Sequence, residues 1–178
     1  ILMATEFYDN SAVRRQDRLL DAERAEELLR EAEFGVLSMT DENGEAYGVP
    51  LNFVWDKAGF ACGNDEDSIG AIYIHCATEG KKLKAISQNA SVSFCIVGNV
   101  KPQPENLTTL YESIIIKGKA RIGLGEEEKK NALRLLVKKF APDQVEHAER
   151  SIEKSFHRTE IIRIDIKRIS GKAKRPKH

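Results

Sequence analysis

Stretch after stretch of this chain alternates apolar and polar side chains with a period of two, and the stretches follow one another in hairpin order. Residues 35–39 read as a strand, and Asp41-Glu42-Asn43-Gly44 supplies an Asn-Gly turn. In the next run, 47–55, Tyr47, Val49, Leu51, Phe53 and Trp55 share one face. Pro50 lies on the other face and cannot donate to a ladder, which places its strand at an edge or bulge. Further strands are expected over 60–62, 71–77, 91–97 and 112–122, with Ile162, Ile164 and Ile166 marking a closing strand. A loop is expected around Pro102 and Pro104.

Helices interrupt this pattern singly. Asp21 can cap one that carries Ala25, Leu28, Leu29 and Ala32 at helical spacing. Thr78 can cap a second over 79–88. Leu133, Leu136, Val137 and Phe140 stripe a third, and Pro142 opens a fourth with Val145, Ala148, Ile152 and Phe156. Such an order is not the regular alternation of a doubly wound sheet. It predicts a mainly β chain with α insertions: an antiparallel barrel of six or seven strands with flanking helices. Residues 1–178 read as one domain, with an N-terminal arm and helix at 14–34, a helical insertion at 125–157 and a solvated basic tail at 171–178.

The 28 basic residues balance 28 acidic ones, so the surplus that a nucleic-acid binder needs is missing. Cys62, Cys76 and Cys95 form neither a disulfide framework nor a zinc pattern, and no metal is expected. Cys76 and Cys95 read as small core hydrophobes. With no apolar leader before Arg14-Arg15 and no apolar run of bilayer length, the expected setting is cytoplasmic, without a membrane. The acidic loop at 64–67 lacks a complete calcium-loop pattern and reads as a solvated tip.

The junction Tyr73-Ile74-His75-Cys76-Ala77-Thr78-Glu79-Gly80-Lys81-Lys82 carries the functional signal. A strand ends in a histidine and runs into a helix whose first-turn amides, at Glu79, Gly80 and Lys81, lack helical partners. Gly80 permits close backbone approach, and Lys81 and Lys82 add charge where the dipole is already positive. An anion would resolve that repulsion. The spacing is not a Walker loop, because His75 and Lys82 stand where glycine and serine or threonine are needed. Taken alone, Gly-Lys-Lys equally describes a solvated helix start. His75 alone describes a structural histidine as well as a proton donor.

Three segments in order sharpen this choice: Gly48-Val49-Pro50-Leu51-Asn52-Phe53, the junction through Leu83, and Glu112-Ser113-Ile114-Ile115-Ile116-Lys117-Gly118-Lys119-Ala120. Together they resemble the pyridoxamine-phosphate-oxidase-like flavin proteins, and within them the nitroimidazole-resistance branch, over about residues 14–172. The resemblance implies a split β-barrel that forms a homodimer and binds FMN, or FAD, at the subunit interface. It sets Val49, Pro50, Leu51 and Asn52 along the flavin ring, and Ile74, His75 and Ala77 beside the ring and ribityl chain. Gly80, Lys81 and Lys82 fall at the phosphate, and Ser113 where a partner subunit reaches across. It implies a flavin-dependent reductase that draws on NAD(P)H and reduces a small-molecule electron acceptor, a 5-nitroimidazole among the candidates, with His75 as the catalytic proton donor. The alternative it leaves is a non-catalytic flavin- or haem-binding carrier or sensor. Two departures stand out: the interval from Phe60 to His75 is long, and Gly80 replaces a serine common before the basic pair.

Overall fold

The computed structural model describes residues 7–57 and 69–176. Its strands are β1 (Phe34–Thr40), β2 (Ala46–Asn52), β3 (Val54–Asp56), β4 (Ala71–Ala77), β5 (Ser91–Gln103), β6 (Thr108–Arg121) and β7 (Thr159–Lys174). Its helices are α1 (Ala22–Glu31), α2 (Lys81–Gln88), α3 (Glu126–Phe140) and α4 (Val145–Ser155). All seven strands join one antiparallel sheet in the order β2-β1-β5-β6-β7-β4-β3.

That order has a geometric consequence. β2 and β3 lie at opposite edges of the sheet, yet only Phe53 separates them in the chain. The sheet must curl until its edges nearly meet, which yields a half-closed barrel rather than a flat sheet. The single strand expected over 47–55 is therefore two strands. Phe53 itself turns inward, fully buried, and sets its ring edge-on to Phe94 at 5.0 Å. The Phe53 carbonyl accepts a 3.0 Å hydrogen bond from the Lys139 ammonium, which also donates to the carbonyl of Ala32 at the end of α1. Burial pushes the Lys139 ammonium down to about 8.

Inside the curl pack Leu37, Phe94, Ile96, Ile114, Ile116, Ile72, Ile74, Ile162 and Ile164, with Leu28 and Leu29 of α1 in the same cluster. Asp21 caps α1 as expected, its carboxylate accepting from the Arg24 amide at 2.8 Å. β7 is buried on both faces from Ile161 to Ile166, because α3 covers the outside of this part of the sheet. There Tyr73, Ala71, Val54 and Ile161 pack against Ala132 and Leu136. Within this second core Arg163 is fully buried, 2.5 Å from Glu128 of α3 and 2.8 Å from Asp165. The Tyr73 hydroxyl donates to the same Glu128 at 2.9 Å. Burial, reinforced by Glu128, drives the Tyr73 phenol above its ordinary range.

Other expectations need correction. The tail from Gly171 is not solvated: Gly171 to Lys174 complete β7, pair with Tyr111 to Ile114, and bury Ala173. The N-terminal arm holds them there, with the Leu20 amide donating to the Gly171 carbonyl and the Gly171 amide to Asn10. Pro102 lies inside β5, beyond a register shift, and not in a loop. Val145 is half exposed, so the apolar stripe of α4 is only partly used. The strand at 60–62, with Cys62, and the acidic loop at 64–68 lie outside the described residues.

Replacing Arg163 with Met leaves Glu128 buried without its cation and Asp165 with Arg121 alone, and should cost about 3–5 kcal/mol of stability. Adding Glu128→Leu should recover part of that loss; urea unfolding of the single and double variants checks both.

Candidate functional site

Closing the sheet without completing it leaves a cleft where the two edges approach. It holds about 410 Å³ and is lined by Phe34, Pro50, Leu51, Asn52 and His75. β2 alternates strictly there: Pro50 and Asn52 face out, while Val49 and Leu51 turn toward the core. Pro50 sits on the edge strand, as its missing N–H requires. His75 is exposed at the point where β4 emerges from under α3, four residues after the fully buried Ala71. Ile74 is fully buried, so only its backbone is available to a ligand. Ala77 is exposed at the end of β4.

Asn52 is fixed by its amide, which donates to the Glu33 carbonyl at 2.9 Å. That bond leaves the side-chain oxygen as an acceptor at the cleft. Phe34, 60% exposed, forms the apolar wall that sequence reasoning missed. Its signal was present, because Phe34 precedes Val36 and Ser38 at the period of two that puts all three on the outer face.

The strand-to-helix junction differs from expectation. Thr78 does not cap α2; the cap position is Gly80, with φ 136° and no side-chain hydrogen bond. The free first-turn amides therefore belong to Lys81, Lys82 and Leu83. Nothing lies within 4 Å of where a Gly80 Cβ would stand, and the positive φ explains why glycine replaces serine here.

Lys81 is already engaged. Its ammonium lies 3.0 Å from the carboxylate of Asp41, a side chain only 3% exposed, and 4.5 Å above the Tyr47 ring. Asp41 also accepts from the amides of Asn43 and Glu45, each at 2.9 Å, and so builds the β1–β2 turn. Lys81 first, then these amides, hold its carboxyl below the usual range. A hollow of about 550 Å³ beside this pair is lined by Glu42, Glu79, Gly80, Lys81, Lys84 and Ala85, with acids and bases in balance. Lys82 lies elsewhere, near Cys76. Burial raises the Cys76 thiol against the pull of Lys82, so this cysteine is a poor nucleophile.

The structure thus gathers Pro50, Leu51, Asn52 and His75 in one cleft and puts Gly80, Lys81 and Lys82 at the next turn of chain. Ser113 is not among them. It sits half-buried in β6, paired with Val97 and Lys172, away from the cleft of its own chain.

A family model described as pyridoxamine 5'-phosphate oxidase matches residues 21–173. No curated protein matches the chain. Among solved structures, a candidate 5-nitroimidazole antibiotic resistance protein of Bacteroides thetaiotaomicron superposes with a TM-score of 0.64 at 23% identity, over 88% of this chain and 86% of that one. The flavocytochrome Anf3 of Azotobacter vinelandii gives 0.71 at 20% identity, over 94% and 75%. A FAD-binding protein of Mesorhizobium loti gives 0.55 at 19%, over 89% and 97%. At these identities the superpositions establish a common fold, the flavin-binding split barrel.

The Lys81–Asp41 pair yields a test. Lys81→Ala strips a buried carboxylate of its cation and should lower the melting temperature by a few degrees. Lys82→Ala, which breaks no ion pair among the described residues, should leave it unchanged; thermal melts of the two variants check this.

Proposed function

The chain belongs to the pyridoxamine 5'-phosphate oxidase family, and on that premise we propose that it is a flavin-dependent reductase of small oxidised molecules, nitroaromatics among them, with NAD(P)H as donor. The observation that carries this reading is the cleft itself, which joins an apolar wall, a fixed amide and an exposed imidazole beside a helix start with open amides.

The residues present suit a flavin. β2 runs from Asn52 to Tyr47, about 17 Å at strand rise, and so connects the cleft to the amides at the start of α2. Phe34 and Pro50 offer apolar surface to a ring system, and the Asn52 oxygen can accept from the N–H at its polar edge. The amides after Gly80 can donate to a phosphate, with Lys82 next to them as a cation that makes no ion pair among the described residues. Lys81 can join them only by sharing its ammonium with Asp41. A flavin, FMN or FAD, supplies the store of two electrons between donor and acceptor.

His75 then has a role that a bound flavin does not fill. Reduction of a nitro group consumes protons, and among the described residues His75 is the titratable side chain lining the cleft, able to donate to the acceptor and be reprotonated from solvent. The outer sheet face supports a pair of chains. Val36 pairs with Pro50 on one side and Cys95 on the other, Cys95 pairs with Ile115, and Val36, Ile115 and Val97 are 37%, 45% and 55% exposed. A second copy laid over this row would bury it beside the cleft.

Purified protein should carry or take up flavin, be bleached by NADPH without oxygen, and be restored by a nitroimidazole. His75→Asn should keep the bleaching and slow the reoxidation by about a hundredfold. Ile115→Glu should elute from a sizing column as a single chain where the parent elutes as a pair. Flavin that NADPH leaves oxidised would replace the reductase reading with a carrier.

A further inference from the structure

A second groove crosses the outer face of the sheet, away from the cleft. It holds about 510 Å³ and is lined by Ser38, Met39, Thr40, Ser91, Val92, Ser93, Lys117, Gly118, Lys119 and Lys167. Lysines bring three positive charges to it, and among the described residues no carboxylate lines it. In a chain whose formal charges cancel, this is a local excess. Lys117 makes no ion pair among the described residues, and Lys119 is held by a 2.6 Å hydrogen bond to the Ser91 hydroxyl. The backbone beneath is tightly set: at Gly118 the β6–β7 register shifts, and an added Cβ would lie 2.4 Å from the Asp165 carbonyl.

The register shows where this groove leads. Gly48 of β2 pairs with Ser38, Ser38 with Ser93, and Ser93 with Lys117. One row along, Ala46 pairs with Thr40, and Ser91 with Lys119. From β2 to the lysines, then, the outer face carries only glycine, alanine and hydroxyl side chains. They form a shallow polar trough of about 14 Å, three strand spacings, beside the apolar row of Val36, Cys95 and Ile115 rather than beneath it. Its near end is two residues along β2 from Pro50 of the cleft.

We propose that the groove is a pyrophosphate subsite: it holds the diphosphate of a dinucleotide whose redox-active ring lies in the cleft beside β2. Lys117 and Lys119, without an acidic partner among the described residues, and the hydroxyls of Ser38, Ser91 and Ser93 match a dianionic bridge rich in acceptors. Shape supports the assignment, since a mononucleotide lying along β2 would end at α2 and leave the groove empty. FAD and NAD(P)H share the required chemistry. The proposal rests on the cleft being the ring site, as in the reading above, but the anion subsite can be tested without any flavin.

The first probe is inorganic pyrophosphate, titrated calorimetrically into the protein and into Lys117→Ala/Lys119→Ala, whose fold is checked by circular dichroism. Pyrophosphate should bind the parent and bind the variant about tenfold more weakly. No binding to the parent, or equal binding to both, would overturn the proposal, whatever the flavin does. The dinucleotide arms then assign the source. If FAD is the ligand, it lies with its flavin-side phosphate in the groove instead of at α2, and the variant loses about tenfold in FAD affinity and nothing in the affinity of FMN, which keeps α2. If the ligand is NADPH, its KM rises about tenfold with kcat and both flavin affinities unchanged. Should pyrophosphate bind while neither dinucleotide responds, the dinucleotide assignment falls.

Discussion

One residue stands between the two edges of the sheet. β2 and β3 are opposite edges of the seven-stranded sheet joined in the chain by Phe53 alone, so the chain can satisfy both edge pairings solely by bending the whole sheet round on itself. Phe53 makes that bend durable: its ring is buried against Phe94, and Lys139 of α3 ties its carbonyl to the end of α1. The half-barrel core and the cleft at its unclosed side both follow from this corner.

The candidate site lies where the closure fails. Between β2 and β4 the sheet lacks a ladder, and the side chains there, Pro50, Asn52 and His75, are free to meet a ligand rather than a strand. The same cleft is kept in shape from behind. Glu33 orients Asn52, α3 buries the first half of β4, and the Arg163–Glu128–Tyr73 cluster locks α3 to the sheet. The helical insertion thus supports the site without lining it.

Much of this was legible in the sequence, for identifiable reasons. The strict alternation of Ile114, Ile116 and Ala120, and of Ile162, Ile164 and Ile166, specified buried faces that the structure reproduces. Pro50 signalled an edge, and Asp21 a helix start. What stayed hidden were non-local effects. Alternation runs unbroken through Phe53, so no local signal revealed that the strand splits between two edges. Basic residues from Lys172 onward suggested a free tail, whereas pairing with β6 and the N-terminal arm holds most of it in the sheet. At the candidate site, Gly80-Lys81-Lys82 marked a helix start, but the helix begins two residues later than a Thr78 cap implied. The partner of Lys81 could not be read locally, because Asp41 is forty residues upstream and read only as part of an Asn-Gly turn. The buried Arg163–Glu128 pair escaped for the same reason, since neither residue interrupts an apolar pattern of its own.

Every role proposed for the cleft residues depends on whether the cleft beside β2 receives a flavin ring. The most direct measurement is a fluorescence titration of FMN into the flavin-free protein and into Asn52→Leu, whose lost acceptor lies at the ring's polar edge and whose fold is checked by its melting curve. Saturable binding of one flavin per chain, weakened about tenfold by the substitution, is the expected result. Absence of saturable binding, or binding indifferent to Asn52, would contradict the central claim.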